Sequence, residues 1–417
     1  HGSVTSSNSC SIGCSRKSKK RTPNGYIYFR SGYSARTIHQ ITWRCFLIEL
    51  RPKIHIGHAN GPFLVKLEAA TPEIHKDQKQ YFLDNYVVNS KGDLECRIGE
   101  ISFTVECPPG DQLDGDILLV DPAKPRAQRL IRRNSRHNTF LITERCDQLC
   151  VMCSQPPKDK GYSNLFSVYE QAVLLSDHGT RIGISGGEPT LHLDFLESLL
   201  HRVSNDRPDV SFHILSNAQH FSCCNPTTLQ DVHQRIQVLW GVPIYSHNPD
   251  THDLIVGKPN AFDEAMNGLY FLANTGASIE LRTVVTARNA LDLPQLSKFL
   301  SKNAPFIQKW AIMAMEPIGY AKVNRAELFF DHSIFPEPIS AAVRLGELYG
   351  LNPELYNFPR CTVPISERRF CVDSISDWKQ KYLSDCDFCS EKTLCCGFFE
   401  WYDPSWEWKN ISAIQLE

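Results

Sequence analysis

The stretch Cys146-Asp147-Gln148-Leu149-Cys150-Val151-Met152-Cys153 decides how this chain is read. It follows a short apolar run, Phe140-Leu141-Ile142-Thr143, and leads into Ser154-Gln155-Pro156-Pro157. Three cysteines at such spacing can wrap one cuboidal iron–sulfur cluster from a single loop. A four-iron cube normally takes four thiolates, so a three-cysteine loop leaves one iron open to a small molecule. Zinc is the alternative. It also accepts Cys-x2–4-Cys spacings, but favours two separated pairs that close a tetrahedron.

Working outward, the whole chain has 417 residues, enough for two or three domains. Its hydrophobic content of 42% and charged content of 22% are those of an ordinary globular protein. A formal charge of −2 gives no global field toward nucleic acid or membrane, and neither is expected as a partner. No run reaches the ~18 uncharged apolar residues of a membrane helix. Of the sixteen cysteines, nine lie between 146 and 153 or after 360, a clustering that favours metal ligands over disulfides. No long apolar signal core opens the chain, so a cytoplasmic location is expected. It begins at His1 rather than Met, which leaves the natural start open.

Residues 1–48 lack Asp and Glu and carry Arg16-Lys17-Ser18-Lys19-Lys20-Arg21 in a Ser-rich setting, so they read as a basic, disordered tail. Residues 49–136 read as a small β-rich domain, with strands at 63–67, 81–88, 101–105 and 117–120 and a basic linker at 126–136. Cys96 and Cys107 stand alone there and read as small packed residues. Residues 137–320 alternate strand and helix. Strands are expected at 139–143, 181–185, 209–215, 237–245, 278–286 and 310–318. Helices are expected at 168–177, 195–203, 229–235, 262–274 and 293–302, and one more at 339–349. Single helices between strands imply right-handed crossovers and a parallel sheet. Active sites of such sheets form at the C-terminal ends of the strands, where the cysteine loop stands. Residues 321–417 carry a second cysteine cluster: Cys361, Cys371, Cys386, Cys389, Cys395 and Cys396.

CxxxCxxC directly after a first strand resembles the signature of the radical S-adenosylmethionine (SAM) superfamily. The resemblance implies an α/β fold, a partial (βα)6 TIM-like barrel. It also implies a SAM-binding [4Fe–4S] cluster on Cys146, Cys150 and Cys153, which would carry the catalysis. Ile184-Ser185-Gly186-Gly187-Glu188-Pro189-Thr190 ends the second strand. Alone it is a turn; in this order it resembles the motif that cradles the SAM amine through Gly186, Gly187 and Glu188. Asn217, at the end of strand three, either contacts SAM or caps a helix. Arg282 on strand five resembles a residue that binds the SAM carboxylate with its planar fork. An internal pair with Glu280 is the alternative. His247 and Glu316 are weaker candidates at strand ends.

The late cysteines resemble part of the SPASM/Twitch extension. That likeness implies one auxiliary iron–sulfur cluster on Cys361, Cys386, Cys389 and Cys395, with Cys371 and Cys396 as spares. A structural zinc site satisfies the same count. Asn138 to Pro157, Tyr356-Asn357-Phe358-Pro359, Ser374-Ile375-Ser376-Asp377-Trp378-Lys379 and Cys396-Gly397-Phe398-Phe399 are similar to radical SAM maturases of the HxsC type in His-Xaa-Ser systems. The likeness runs from about residue 90 to 400; residues 1–48 depart from it. It implies a ribosomally made peptide substrate, bound across the barrel mouth between residues 49–130 and the tail, with a second radical SAM maturase and an electron donor as partners. A radical SAM enzyme acting on a small molecule or nucleotide, and a non-catalytic iron–sulfur or zinc scaffold, remain alternatives.

Overall fold

A computed structural model describes residues 53–56, 62–68, 85–98, 101–107, 112–404 and 408–415. The basic tail expected at 1–48 lies outside them. The first seven strands are β1 (Ile54–Ile56), β2 (Phe63–Lys66), β3 (Asn85–Val88), β4 (Leu94–Ile98), β5 (Ile101–Val105), β6 (Ile117–Val120) and β7 (Gln128–Ile131). They make two antiparallel sheets, ordered β1-β5-β4-β3 and β2-β6-β7. Side chains alternate across a strand, and here both faces of the second sheet are covered. Val65, Leu118 and Val120 meet Ile54, Leu94, Cys96 and Phe103 of the first sheet. Leu64, Ile117, Leu130 and Ile131 instead join the core of the large α/β unit. Burial on both sides explains why Ile117-Leu118-Leu119-Val120 is apolar throughout. Cys96 is a packed member of this core, and burial pushes its thiol up to about 12. The segment read as a linker at 126–136 contains β7. Its Arg129 is no solvent-facing charge, because it is buried against Asp116 at 2.5 Å.

The large unit runs β8 (Asn138–Leu141), α1 (Phe166–Leu175), β9 (Arg181–Ser185), α2 (Leu193–Asp206), β10 (Ser211–Leu215), α3 (Pro226–Arg235) and β11 (Val238–Pro243). It continues α4 (Pro249–Val256), α5 (Ala261–Asn274), β12 (Ser278–Val285), α6 (Leu293–Asn303), β13 (Lys309–Ala314), α7 (Gly319–Val323), α8 (Arg325–Leu328), α9 (Glu337–Leu348) and β14 (Pro353–Tyr356). The strands lie in sequence order and every neighbouring pair is parallel. This α/β sheet is consistent with a TIM-like radical SAM barrel, but it has seven strands rather than the six expected. The seventh, β14, pairs with β13 from Trp310↔Pro353 to Met313↔Tyr356. It is a short edge strand opened by a proline, and edges tolerate proline because one side of the ladder needs no donor.

Beyond β14 the chain returns and then runs alongside that strand's free edge in the same direction. Leu355 bridges Cys371 in parallel, and Val372 N donates to Leu355 O at 3.1 Å. The next residues cross toward β8: Asp377 accepts from Arg132 at 3.0 Å, and Lys379 donates to Glu316 at 3.1 Å. A two-stranded pair, β15 (Gln380–Lys381) with β16 (Phe398–Phe399), follows. No helix among the described residues is long and apolar enough to cross a membrane.

Candidate active site

The cysteine loop leaves the C-terminal end of β8 and is pinned on several sides. Leu149 N donates to Val256 O and Val151 N to Ile255 O, both at 2.9 Å, which fastens the middle of the loop to the end of α4. Tyr320 N donates to Cys153 O at 2.8 Å, and Asn324 Nδ2 to Val151 O at 2.8 Å. Gly319 permits the first of these: at φ +59 a Cβ would sit 2.5 Å from Cys153 O. Burial pushes Cys146 up to about 12 and Cys153 up to about 11. Burial, then the neighbouring thiols of Cys153 and Cys146, raise Cys150 well above an ordinary thiol. Tyr245 is buried with Met152, and its hydroxyl is likewise raised by burial and then by the Cys150 and Cys153 thiols.

Gly186 and Gly187 end β9 beside this loop. A Cβ on Gly186 would lie 2.3 Å from Thr143 O, and one on Gly187 would lie 2.1 Å from Arg145 O. The glycine pair therefore admits the root of the cysteine loop. Gly187 N donates to Thr143 O and Glu188 N to Arg145 O, each at 2.8 Å. The Glu188 carboxylate is buried and accepts from Thr190 N (2.9 Å), Ser216 Oγ (2.7 Å) and Asn217 N (2.7 Å). Burial raises its pKa, against those donors. Asn217 gives its amide to Asp147 Oδ1 at 2.8 Å and accepts from Gln219 N at 3.1 Å. Asn217 is thus joined to both motifs.

Alternation turns Glu280 and Arg282 of β12 inward, and they are paired there. Glu280 also meets Lys309 Nζ at 3.1 Å and His213 Nε2 at 3.3 Å. Burial would raise its pKa, but His213, Arg282 and Lys309 together hold it well below the usual carboxylate range. The internal pair read as an alternative is thus present, yet Arg282 has further donors on its fork. His247 has a buried Nδ1 without a hydrogen-bond partner among the described residues. Glu316 pairs with Lys379.

Cys361 follows the C-terminal end of β14, so the second cysteine cluster stands on the same rim as the first. Burial, then the thiols of Cys395, Cys386 and Cys389, push Cys361 up to about 12. Cys395 accepts from Arg360 N and Gly397 N, both at 3.4 Å, and Cys389 accepts from Ile414 N at 3.4 Å. A bond from Cys396, with those N–H groups, lowers Cys395 to about 6 despite burial. Cys371 and Cys396 are buried among apolar side chains in separate core clusters, the packing expected of small hydrophobes.

Sequence reasoning missed Asp147, His220 and Lys258, which meet beside Cys146. Asp147 lies inside the motif and could have been singled out. Its partner Lys258 is 111 residues away, where no local signal exists.

Residues 140–287 match the family model described as the radical SAM superfamily. The chain carries a radical SAM domain. Such a domain implies an enzyme, a [4Fe–4S] cluster and SAM. Fe-coproporphyrin III synthase of Methanosarcina barkeri is 27% identical over 165 residues, 39% of this chain and 40% of that protein. The AdoMet-dependent heme synthase of Nitratidesulfovibrio vulgaris is 25% identical over 189 residues, 43% of this chain and 48% of that protein. The chain therefore spans less than half the length of either relative. Among solved structures, Streptococcus suis SuiB bound to SAM overlaps 54% of this chain and 50% of its own at 15% identity and a TM-score of 0.42. Native anSMEcpe with bound AdoMet and a Cp18Cys peptide overlaps 52% and 62% at 13% identity and a TM-score of 0.39.

Among the described residues, no three thiol, imidazole or carboxylate groups are drawn together as tightly as around a bound ion. The donor set of the radical SAM domain still fits a thiolate-held cluster. Three thiols stand on one pinned loop, with Cys153 and Cys146 close enough to raise Cys150, and no cation is interposed in the motif.

Proposed function

We propose that Cys146, Cys150 and Cys153 hold the [4Fe–4S] cluster of a radical SAM enzyme that modifies a ribosomally made peptide. The observation that carries the chemistry is the meeting of the cysteine loop with Gly186, Gly187 and Glu188 at the ends of adjacent strands. When bound, the cluster supplies the electron that breaks SAM to a 5′-deoxyadenosyl radical. The chain's own residues bind and orient. The backbone of Gly186 and Gly187, fixed against residues 143–145, lines the place of the SAM amine. Arg282 keeps part of its fork for the SAM carboxylate while Glu280 holds its other side. Asn217 gives one amide N–H to Asp147 and keeps a second for SAM. Tyr245 and Met152 exclude water beneath the thiols, which protects a reactive intermediate.

The tail is read as a second metal site on Cys361, Cys386, Cys389 and Cys395. Backbone N–H donors to sulfur, as on Cys389 and Cys395, are among the features that tune iron–sulfur clusters. The peptide reading rests on the motif likeness to His-Xaa-Ser maturases, which also brings the second maturase and the electron donor. The peptide is taken to cross the barrel mouth between residues 49–130 and the tail. The N-terminal sheets tie to the barrel through Lys66 and Arg133 on Asp177, at 2.7 and 2.8 Å. A small-molecule substrate is the second reading, favoured by relatives named for porphyrin chemistry. Anaerobic reconstitution with SAM, dithionite and a His-Xaa-Ser peptide, read by mass spectrometry, tests both. Modified peptide is expected. Release of 5′-deoxyadenosine with a porphyrin and an unchanged peptide would favour the second reading.

A further inference from the structure

The second residue of the cysteine loop is held from outside the loop, and nothing in the radical chemistry calls for it. Asn217 Nδ2 donates to Asp147 Oδ1 at 2.8 Å. Lys258 Nζ donates to Asp147 Oδ2 at 2.7 Å, and His220 Nε2 stands 3.3 Å from the same oxygen. Lys258 is itself fixed, because it also donates to Gln219 Oε1 at 2.5 Å and Glu264 Oε2 at 2.7 Å. Asn217 is fixed through its own N–H to Glu188 Oε2 at 2.7 Å. One chain of bonds thus runs from the glycine–glutamate turn after β9, through the end of β10, to the cysteine loop and on to the turn between α4 and α5.

The backbone explains why the loop needs this. Leu149 and Val151 are pinned to the end of α4, and Cys153 to Tyr320. Arg145 is pinned to Glu188. Between Arg145 and Leu149 the anchor is the Asp147 side chain. That anchor sets where Cys146 stands relative to Cys150 and Cys153. Its sign is unfavourable on its own, since a carboxylate beside three thiolates adds like charge. Lys258 offsets that charge while it holds the carboxylate.

We propose that Asp147, with Lys258 as its counter-charge, is the positioning residue that sets Cys146 at the pitch needed for three thiols to bind one cluster. It rests on the cysteine loop being the cluster site. Groups that orient metal ligands typically change metal affinity 10–100-fold when removed.

The test begins without metal. In the metal-free full chain, the alkylation rate of each cysteine is followed by mass spectrometry for wild type, Asp147→Ala, Lys258→Met and Lys258→Arg. Faster alkylation of Cys146 in Asp147→Ala and Lys258→Met, with Cys361 and Cys371 unchanged and Lys258→Arg near wild type, is the expected pattern. After anaerobic loading, the first two variants should lose at least about tenfold in iron affinity at the loop. Wild-type alkylation and iron binding in Asp147→Ala would overturn the proposal, and so would a uniform rise across all cysteines, which marks global loosening. A wild-type protein that binds iron at the loop but fails to cleave SAM would refute the enzyme reading while leaving this one standing.

Discussion

Alanine at Gly187 probes the tightest contact around the cysteine loop. The added Cβ would lie 2.1 Å from Arg145 O, 2.5 Å from Arg145 C and 3.0 Å from Cys146 N. All three are backbone atoms, so no side chain can swing aside. The peptide between Arg145 and Cys146 must retreat by about an ångström to reach ordinary contact. That retreat strains Gly187 N to Thr143 O and Glu188 N to Arg145 O, both 2.8 Å. Two backbone bonds at about 1 kcal/mol each and overpacking at about 1–3 kcal/mol give a cost of roughly 3–5 kcal/mol. Gly161→Ala is the control, since a Cβ there meets nothing within 4 Å. Urea unfolding of the metal-free proteins measures the cost, and iron content after anaerobic reconstitution measures its effect on the loop. Gly187→Ala should unfold at clearly lower urea than Gly161→Ala and hold less iron. If Gly187→Ala matches the control in both and only SAM affinity falls, the packing argument is wrong, and the glycine serves ligand approach instead.

Two further outcomes follow from buried charge and from the tail. Glu280 is held below its unfolded carboxylate value of ~4.3, so its contribution is present above that pH and is lost as pH falls through the folded value. Glu280→Gln should cost about 3–5 kcal/mol at neutral pH and flatten the acid-side loss of stability, by urea unfolding at neutral pH and at about pH 3, below the unfolded value; unchanged slopes would refute the pairing. Cys361→Ser should remove metal from the tail while the 146–153 loop keeps its iron, by metal and sulfide analysis. Zinc rather than iron with sulfide in the wild-type tail would turn the auxiliary site into a structural one.

What could be read in the sequence is what was local. The three cysteines, the glycine–glutamate turn and the amphipathic run from Phe262 to Leu272 each carry their signal within one element. β14 was missed because only four residues pair, opened by Pro353 and carrying Glu354. β7 was missed because Arg129 reads as a solvated charge until Asp116 is seen beside it. α4 did have a signal: Asn248 caps it by accepting from Thr251 N at 3.2 Å, with Pro249 at its first turn. Asp147 itself lies inside the motif, but its partners gave no signal, since they come from two distant connections, Asn217 and His220 after β10 and Lys258 after α4.

The extra strand changes what the cysteine-rich tail must be. An open parallel sheet ends in two edge strands whose backbone groups invite pairing with another chain. β14 is one such edge, and the tail covers it: Cys371 bridges Leu355, Val372 N bonds Leu355 O, and Ser374 Oγ accepts from Asn357 N at 2.7 Å. The same segment then crosses to Arg132 beside the start of β8, at the other edge. Any metal held by Cys361, Cys386, Cys389 and Cys395 would thus fasten a strap that closes the sheet from β14 toward β8. Losing that metal would loosen the strap first, and Asp377, whose side chain is 58% exposed, contributes too little through Arg132 to hold it alone. The tail site and the cysteine loop then share a rim and also a mechanical link, through Lys379 to Glu316 and on, four residues later, through Tyr320 N to Cys153 O.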